Sequence, residues 1–555
     1  MNGSPSEGRG DYGGLPATEL ASLKARWRAE GLHADETIPQ MLARAARERG
    51  DVSRAFHSDE RETRTITLAE AYELSRDWAA RLQALGVGPG DTVAVQMPNW
   101  WEAWVFGYAV LTTGARILPI HFTYVGPDLD YALRESRAKV LFMAERSRGL
   151  DCLDRIPALE SLPALETILV QGERAAGKAK LWRDVLAGPA PDFQEPQLHP
   201  DDVCILLFTS GTTSRPKGVL HTHNTMLAEG RTFFTRRRVD PDNPTLLTAA
   251  VYGHIGCMID LVRGPLSGFC DAVRDRWEAR ECLELIGRYK VSGMSGTPFH
   301  LLGLLDMVDR GLGDISSLKY FSMGATTISP THIQTLEDRG IRATRVYGST
   351  EHPTVCSGDP NDPLQVRATN EGRVLPGIEV RIVDDDGSDV AGGEAGELVT
   401  RGPELCVGYM HEDHNRNAWL PGGWFRTGDI ATMSAGGYIT IVDRKKDIII
   451  RGGENLSSKE IEDALVLHCG AREAAVVAFP DERYGERVCA FIIPHSPSEI
   501  SLEQIRAQFA AAGLAKQKAP ERVEVVEDFP RTALGKIKKA ELRDWLKATA
   551  EAEAG

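Results

Sequence analysis

The order of apolar and polar positions predicts a chain of alternating helices and strands. Helical spacing is clearest over 68–85, where Leu68, Ala71, Trp78 and Leu82 share one face. Around it, the pattern predicts a helix over 18–31, a strand over 92–96, a helix over 100–113, a strand over 116–120, a helix over 127–136 and a strand over 139–144. Such alternation is typical of a parallel α/β sheet.

The second half of the chain has a different pattern. Short alternating strands separated by turns predict a small β-subdomain between 371 and 438, with strands over 379–383, 396–400 and 438–442. Farther on, the predicted elements are strands over 474–479 and 488–493 and a helix over 502–512. A single core stops growing near about 250–300 residues, so 555 residues require at least two domains. The predicted fold is α/β: a large N-terminal domain of α/β subdomains plus a small β-subdomain, followed by a small α+β C-terminal domain.

Composition and charge restrict the class of protein. Apolar residues make up 42% and charged residues 26% of the chain, and the formal net charge is -15. This acidic balance argues against a nucleic-acid-binding protein, which has a basic surface. The short basic run Arg236–Arg238 is therefore interpreted as a solvated face. Nine cysteines are scattered without a C-x-x-C pair, which favours reduced thiols in the cytoplasm.

The N-terminal stretch lacks the features of a targeting or membrane segment. Residues 1–16 are rich in glycine, serine and charge and contain no apolar signal-peptide region, so 1–17 is expected to be a disordered tail. No apolar run in the chain approaches the ~18 residues that a membrane-spanning helix requires. We therefore expect no membrane span.

A loop of hydroxyls and glycines follows the apolar strand predicted over 203–208. It reads Thr-Ser-Gly-Thr-Thr-Ser-Arg-Pro-Lys-Gly from Thr209 to Gly218 and leads toward a predicted helix. Its backbone N–H groups, hydroxyl donors and the Lys217 charge are the groups that hold a polyphosphate. The spacing differs from a P-loop, which would need glycine at Pro216. A simple surface turn is the alternative interpretation.

This loop resembles the signature of the AMP-forming adenylating superfamily, which includes acyl-CoA synthetases, adenylation domains of peptide synthetases and luciferases. Four further stretches resemble the other motifs of the family in the right order, at 346–351, 424–429, 443–454 and 530–536. The resemblance covers roughly residues 35 to 545 and is closest in appearance to a bacterial acyl-CoA synthetase. It implies ATP, Mg²⁺ and CoA as the compounds that the enzyme uses.

The resemblance implies a set of nucleotide-binding residues. Those expected to contact ATP or AMP are Thr209, Ser210, Gly211, Thr212, Thr213, Lys217, Gly324, Ala325, Tyr347, Gly348, Thr350, Asp429, Arg444 and Lys536. Tyr347 offers an aromatic face for adenine, Thr350 a hydroxyl for the α-phosphate, and Glu351 a carboxylate for Mg²⁺. Asp429 and Arg444 match ribose contacts. The residues expected to act in catalysis are Lys536, Thr209, Lys217 and Glu351, with Lys536 matching the catalytic lysine of the family.

The family also suggests where the acid binds. His254 matches a histidine on the acyl-pocket wall, and Gly253 and Gly348 are expected beside it. Gly253 replaces the aromatic residue that usually precedes this histidine, so we expect extra volume for a cyclic, aromatic or medium-chain acyl group. An amino-acid substrate would need a carboxylate for its ammonium group, and Asp260 is the candidate in this segment. The group His411–His414 is not the H-E-x-x-H motif and is interpreted as a polar loop.

The C-terminal motifs imply a moving domain. Lys446 matches the hinge, and Gly452 and Gly453 match a turn that lines the pantetheine tunnel for CoA. The expected division is a tail over 1–17, an N-terminal domain over 18–443, a hinge over 444–447 and a mobile C-terminal domain over 448–555. Rotation about the hinge is expected to withdraw Lys536 after the adenylate has formed.

The motifs lead to three hypotheses for the function of this chain. The first is an acyl-CoA synthetase that activates a small-molecule carboxylic acid with ATP and transfers it to CoA. The second is a stand-alone adenylating enzyme that passes the acid to an acyl carrier protein or another nucleophile. The third, a silent nucleotide-binding regulator, is disfavoured because a decayed site would have lost at least one of Thr209, Lys217, Glu351, Asp429, Arg444 and Lys536.

Overall fold

A computed structural model describes the chain over 17–209, 216–233, 235, 240, 242–249, 251–326, 328–481, 483–495, 501–532 and 536–554. Residues 1–16, Ser210–Thr213 and Arg236–Arg238 lie outside the described residues. The predictions of a disordered tail, of phosphate contacts at Ser210, Gly211, Thr212 and Thr213, and of a solvated basic run therefore stay predictions.

The described residues form these α-helices: α1 (Ala17–Ala29), α2 (Ile38–Glu48), α3 (Leu68–Ala84), α4 (Trp101–Thr112), α5 (Pro127–Ser136), α6 (Ile156–Leu159), α7 (Trp182–Val185), α8 (His223–Phe233), α9 (Ile255–Met258), α10 (Asp260–Ser267), α11 (Ala279–Tyr289), α12 (Pro298–Asp309), α13 (Pro330–Glu337), α14 (Leu364–Thr369), α15 (Glu412–Asn415), α16 (Ser458–His468), α17 (Leu502–Ala511) and α18 (Lys539–Ala554).

Their strands are β1 (Ser53–His57), β2 (Arg64–Thr67), β3 (Thr92–Gln96), β4 (Arg116–Pro119), β5 (Val140–Ala144), β6 (Arg146–Ser147), β7 (Leu150–Asp151), β8 (Thr167–Gln171), β9 (Lys180–Leu181), β10 (Val203–Thr209), β11 (Lys217–Thr222), β12 (Thr245–Thr248), β13 (Cys270–Arg274), β14 (Gly293–Gly296), β15 (Tyr320–Met323), β16 (Arg342–Tyr347), β17 (Cys356–Ser357), β18 (Arg373–Val374), β19 (Glu379–Val383), β20 (Gly396–Arg401), β21 (Gly408–Tyr409), β22 (Trp419–Leu420), β23 (Trp424–Met433), β24 (Ile439–Arg444), β25 (Ile449–Arg451), β26 (Glu454–Leu456), β27 (Ala471–Asp481), β28 (Gly485–Pro494) and β29 (Arg522–Val525).

Two large sheets with parallel centres form most of the N-terminal part. One has the order β21-β11-β10-β4-β3-β5-β8-β9, and the other has the order β18-β17-β16-β15-β14-β12-β13-β1-β2. Strands β10, β4, β3, β5, β8 and β9 run parallel in the first, and β1, β13, β12, β14, β15 and β16 in the second. This arrangement confirms the predicted α/β class. Helices cover such sheets on both faces, which explains why α4 is buried from Glu102 to Thr112.

The carboxyl ends of these parallel strands carry most of the candidate site. In the first sheet, Thr209 ends β10, and His121 follows β4 by two residues. In the second sheet, Tyr347 ends β16 and Gly324 follows β15 directly. Ligands of open α/β sheets bind beyond the carboxyl ends of the strands, so the topology brings these residues into one region.

Two smaller sheets complete the fold. Antiparallel strands β19, β20, β23, β22 and β24 form the predicted β-subdomain. After residue 448, strands β26, β25, β28, β27 and β29 form a sheet packed on α16, α17 and α18, which gives the predicted α+β C-terminal unit. Buried apolar side chains of this unit cluster on both faces of its sheet, separately from those of the N-terminal cores.

Candidate active site

Thr209 and Lys217 are paired residues at the tip of a β-hairpin. Thr209 ends β10, Lys217 begins β11, and the two strands are antiparallel with Thr209 opposite Lys217. The hydroxyl-rich loop therefore joins two strands, whereas the sequence led directly from this loop toward a helix. Helix α8 begins only at His223. The pairing holds Thr209 and Lys217 at fixed positions on either side of the loop.

Glu351 lies in a turn that is fixed by neighbouring segments. Its backbone carbonyl accepts a hydrogen bond from the Cys406 N–H at 2.7 Å, and its carboxylate Oε1 accepts one from the Tyr409 hydroxyl at 2.7 Å. Next to it, the Thr350 carbonyl accepts a 2.8 Å hydrogen bond from Nε2 of the buried His221. Burial lowers the pKa of His221 to about 4, so this imidazole is neutral.

Asp429 joins the two sides of the proposed nucleoside site. The Tyr347 hydroxyl donates a 2.6 Å hydrogen bond to its Oδ2, and Nε of Arg444 lies 3.4 Å from its Oδ1. Asp429 stands opposite Arg444 in the β23–β24 ladder, and the Thr427 hydroxyl accepts a bond from the Asp429 N–H. Burial and the Asp429 charge raise the pKa of Tyr347, so the phenol stays protonated and donates.

Lys536 belongs to a cluster of cations. Burial, together with the Arg444 and Lys446 charges, lowers the pKa of Lys536 to about 8. Asp429 and Asp447 oppose this shift only in part. Burial and Arg444 likewise lower the pKa of Lys446 to about 8. The cluster therefore has more positive charge than its neighbours neutralise, which favours the binding of an anion.

His254 faces the same lysine from the N-terminal part. It is the N-cap of α9, where its Nδ1 accepts a hydrogen bond from the Gly256 N–H at 3.2 Å. Burial lowers its pKa to about 4, and the His121 and Lys536 charges add to this shift. His254 is therefore neutral, and its pKa responds to the Lys536 charge.

The expectation of extra volume at Gly253 is wrong. Its φ of +98° lies in the left-handed region, and a Cβ there would come within 2.5 Å of the His121 nitrogen and 2.9 Å of the Ile120 carbonyl carbon. The backbone after β4 already fills the space where a side chain would extend. Glycine is needed because two backbones meet, and its presence does not widen a pocket.

Asp260 is also not the free carboxylate that an amino-acid substrate would need. It is buried at the start of α10, and the Arg54 guanidinium donates to its backbone carbonyl at 3.1 Å. The charges of Asp260 and Asp271 both act on Arg54. Asp260 therefore has a cationic neighbour already, and it gives no support to an ammonium-binding role.

Comparison with known proteins agrees with this geometry. The family model described as AMP-binding enzyme matches residues 42–410, and the model for its C-terminal domain matches 460–536. The medium-chain fatty-acid–CoA ligase of Escherichia coli (strain K12) is 33% identical over 528 residues, which cover 94% of this chain and 92% of that protein. The chain belongs to the AMP-binding enzyme family.

Solved structures of other family members have the same fold. The anthranilate CoA ligase AuaEII in complex with anthranoyl-AMP superposes with a TM-score of 0.82 at 25% identity, covering 93% of this chain and 98% of that one. The amide bond synthetase McbA from Marinactinospora thermotolerans gives 0.80 at 26% identity, covering 92% and 99%. The predicted classes of AMP-forming ligase and acyl-CoA synthetase are confirmed, and the McbA match is consistent with the predicted alternative of another acceptor.

Gly324, Ala325 and Gly348 form tight backbone turns in this AMP-binding enzyme. A Cβ on Gly324 would come within 2.9 Å of the Val346 carbonyl oxygen, and one on Gly348 within 2.0 Å of the Pro353 carbonyl oxygen. Ala325 has a φ of +65° and is exposed.

Lys446, Gly452 and Gly453 belong to the junction with the C-terminal unit. Lys446 lies in a short 3₁₀ turn over Lys445–Asp447, and Asp447 accepts a hydrogen bond from Arg543 on α18. Gly452 and Gly453 form the exposed turn between β25 and β26 with φ of +61° and +87°. The hinge and tunnel roles, like the division at 444–447, stay predictions.

The residues present suit a magnesium ion. The Glu351 Oε2 has no hydrogen-bond partner among the described residues, while Oε1 is held by Tyr409. Mg²⁺ takes one or two protein carboxylates and completes its shell with phosphate oxygens and water. In the part of the chain that the structure describes, no group of three His, Cys, Asp or Glu could hold a metal. The segment His411–His414, interpreted from sequence as a polar loop, forms the start of the short helix α15, with His411 as its N-cap.

Sequence reasoning missed three residues that the fold adds to this site. His121 and Tyr409 lie on segments outside the motifs, and no local spacing marks them. His221 lies on β11 with Lys217, but its contact is with the Thr350 carbonyl, 129 positions away. None of the described helices is both long enough and apolar enough to cross a lipid bilayer.

Proposed function

We propose that this enzyme joins a carboxylic acid to AMP, using ATP and releasing pyrophosphate, and then transfers the acyl group to CoA. The carboxylate oxygen attacks the α-phosphorus, and the bond from that phosphorus to pyrophosphate breaks. The CoA sulfur, as a thiolate, then attacks the acyl carbon, and AMP leaves with the electron pair of the broken C–O bond. Activation is needed because a carboxylate offers the thiol too poor a leaving group.

The proposal depends most on the charge of Lys536. The charges of Asp429 and Arg444, the proposed ribose contacts, act on Lys536, and the Lys536 charge acts on His254 of the proposed acyl wall. The first step brings two anions together and increases charge on the phosphate oxygens. A cation fixed between the nucleotide and the acid stabilises that charge without reorganisation.

The remaining residues are proposed to position ATP. Lys217 and Thr209, with the loop 210–213, would hold the β- and γ-phosphates, and the Thr350 hydroxyl would contact the α-phosphate. Gly324, Ala325, Tyr347 and Gly348 would frame adenine, because their turns bring bare backbone to a flat ring. Asp429 would accept hydrogen bonds from the ribose hydroxyls. Mg²⁺, which Glu351 would hold, neutralises phosphate charge when bound.

The second step is proposed to need a rotation of residues 448–555 about the hinge at 444–447. The C-terminal unit has its own cores, and the turn at Gly452 and Gly453 is exposed on the surface. Rotation at Lys446 would withdraw Lys536 and carry this turn toward the site, where the pantetheine arm of CoA would pass. The small size of glycine would leave room for that arm.

CoA is the proposed acceptor because the E. coli relative and AuaEII are both named as CoA ligases. A second candidate acceptor is an amine or an acyl carrier protein, which is favoured by the likeness to the amide bond synthetase McbA. A cytoplasmic location is also proposed, since all nine cysteines are free thiols.

Mass spectrometry of the products tests the proposal. The purified protein is incubated with ATP, Mg²⁺ and a panel of aliphatic, alicyclic, aromatic and amino acids, with and without CoA. An acyl-adenylate that becomes acyl-CoA when CoA is added is the expected result. An adenylate that CoA does not consume would favour the second candidate. ATP binding without AMP formation from any acid would contradict both.

A further inference from the structure

Tyr409 is a buried residue that touches two of the proposed catalytic groups. It lies on the two-residue strand β21, and only 6% of the residue is exposed. In the sheet, Tyr409 stands opposite Val219 of β11, two residues after Lys217. The sequence gives no reason to select it, because 58 positions separate it from Glu351.

The phenolic hydroxyl of Tyr409 holds the Glu351 carboxylate. It donates a 2.7 Å hydrogen bond to Oε1. Burial and the Glu351 charge both raise the pKa of the phenol, so it remains a donor. A hydrogen bond to a charged carboxylate is among the strong ones, and it restricts the rotation of that carboxylate. With Oε1 occupied, Oε2 is the oxygen left for another ligand.

The ring of the same residue lies under the Lys217 ammonium. Nζ of Lys217 is 4.9 Å from the Tyr409 ring centroid, within the range of a cation–π contact. No carboxylate of the described residues forms an ion pair with Lys217, so its charge is left for an external anion. The ring thus attracts this ammonium without neutralising it.

The backbone of Tyr409 is fixed on both sides. Its N–H donates to the Asn415 Oδ1 at 2.9 Å, and its carbonyl accepts from the Asn415 Nδ2 at 3.1 Å. The neighbouring Met410 N–H donates to the Gly218 carbonyl at 2.8 Å. These bonds tie the ring to the strand that carries Lys217, so its position is set by the sheet.

We propose that Tyr409 is a positioning residue that orients Glu351 for Mg²⁺ through its hydroxyl and Lys217 for the ATP phosphates through its ring. The inference rests on the proposed function, since it assumes that Glu351 holds Mg²⁺ and that Lys217 contacts phosphate. Loss of the hydroxyl would free the Glu351 carboxylate to rotate away from the Mg²⁺ position, while the ring under Lys217 would remain.

Removal of the hydroxyl alone provides the test. ATP binding to wild type and Tyr409→Phe is measured by calorimetry over a range of Mg²⁺ concentrations and in EDTA. We expect the Mg²⁺ concentration that gives half of the full gain in ATP affinity to rise about 10-fold. We also expect ATP affinity in EDTA to change less than about twofold, because the ring under Lys217 remains.

Tyr438 offers a matched control. Its hydroxyl donates to Oδ1 of Asp362 at 3.1 Å, and the Arg373 guanidinium lies 4.4 Å from its ring centroid. Tyr438→Phe therefore also removes a phenol that lies between a carboxylate and a cation, neither of which is a proposed contact of ATP or Mg²⁺. Its Mg²⁺ dependence and its rate of pyrophosphate release are expected to match those of wild type.

A double variant separates this inference from the proposed function. If Glu351→Gln abolishes the Mg²⁺ effect and Tyr409→Phe adds nothing on top of it, the two residues act through one interaction. If Glu351→Gln abolishes the effect and Tyr409→Phe alone leaves it unchanged, the positioning role is overturned while the proposed function stands. If Tyr409→Phe weakens ATP binding equally with Mg²⁺ and in EDTA, the positioning role is also overturned, since general structural damage would give that result. An unchanged Mg²⁺ effect in Glu351→Gln would instead remove the metal role itself.

Discussion

The Tyr347 hydroxyl lies 2.6 Å from Oδ2 of Asp429 and donates its hydrogen to it, which links the end of β16 to the β-subdomain. The residue proposed to face adenine therefore also fixes the residue proposed to bind ribose. Arg444 approaches the other carboxylate oxygen at 3.4 Å. A charged acceptor that is held from two sides is already oriented for the ribose hydroxyls.

Asp429→Ala is expected to weaken ATP binding by about 10–100-fold. Hydrogen bonds to a charged group contribute roughly 1.5–3 kcal/mol, and each 1.4 kcal/mol is a factor of ten in affinity. Calorimetric titration of ATP measures the change. Tyr347→Phe should weaken ATP binding less than Asp429→Ala, because the ring remains and only the hydrogen bond to Asp429 is lost.

Asp385→Ala is the control for this experiment. Asp385 pairs with Lys445, the residue after Arg444, but its side chain is 89% exposed. Exposed ion pairs contribute about 0–1 kcal/mol, so ATP affinity should stay within a few-fold of wild type. Unchanged affinity in Asp429→Ala as well would count against the ribose role.

Much of the fold could be predicted from sequence because local pattern decides it. The strand at 92–96 and the helix at 127–136 were predicted with the bounds that the structure has, since each lies between clear turn residues. Lys217–Thr222 is harder to assign from sequence, because it is a strand through its pairing with β10 and β21. Backbone partners of this kind are not visible in a local window.

The candidate site likewise has residues that the sequence indicates and residues that only the fold brings in. Lys536, Asp429 and Glu351 stand in motifs, so the sequence indicates them. Tyr409 acts through contacts between segments far apart in the chain, and no spacing along the chain encodes them. The lack of free space at Gly253 cannot be predicted from sequence for a related reason, since the obstacle to a side chain there is the backbone near His121.

Lys536→Ala is expected to separate the two half-reactions. Pyrophosphate release should fall by about 10²–10³-fold, the usual effect of losing one contact that stabilises developing charge. Thioester formation from a supplied acyl-adenylate should fall only a few-fold, because the lysine is proposed to withdraw before that step. Both rates are measured on the same enzyme preparation.

Lys538→Ala controls for the loss of a nearby positive charge. Lys538 is two residues away, is about half exposed and pairs with Glu541 at 2.7 Å. We expect both half-reactions to proceed at close to wild-type rates in this variant. An equal fall of the two rates in Lys536→Ala would contradict the assignment.

The same lysine predicts the pH dependence of adenylation. Its pKa of about 8 lies below the ordinary value because partial burial and the Arg444 and Lys446 charges disfavour the protonated form. The protonated form carries the charge, so kcat/KM for ATP should fall as pH rises through about 8, approaching tenfold per unit. Activity at pH 7 should be on the plateau. A pH–rate profile of pyrophosphate release measures this limb.

Lys446→Ala tests the cause of that low pKa. Removal of the Lys446 charge takes away one of the cations that disfavour protonation of Lys536, so the falling limb should move to higher pH. Lys536→Arg should lack the limb, because a guanidinium stays charged throughout this range. If activity falls over the same pH range in wild type, Lys446→Ala and Lys536→Arg, the titrating group is not Lys536.

Gly253→Ala is expected to destabilise the fold without narrowing a pocket. The Cβ of an alanine would lie only 2.5 Å from the His121 backbone nitrogen, and the alanine would have to adopt a φ of +98°. The left-handed strain and the forced shift of packed backbone together cost on the order of 3 kcal/mol. Chemical denaturation of the variant measures the loss of unfolding free energy.

Gly287→Ala provides the comparison for this last prediction. Gly287 lies inside α11, and no atom outside that helix and its chain neighbours is within 4 Å of a Cβ built there. Alanine in a helix is better than glycine by about 0.5–1 kcal/mol, so this variant should be at least as stable as wild type. If Gly253→Ala matched it in stability and changed only the range of acids accepted, the backbone contact would not be the reason for glycine, and the volume interpretation would return.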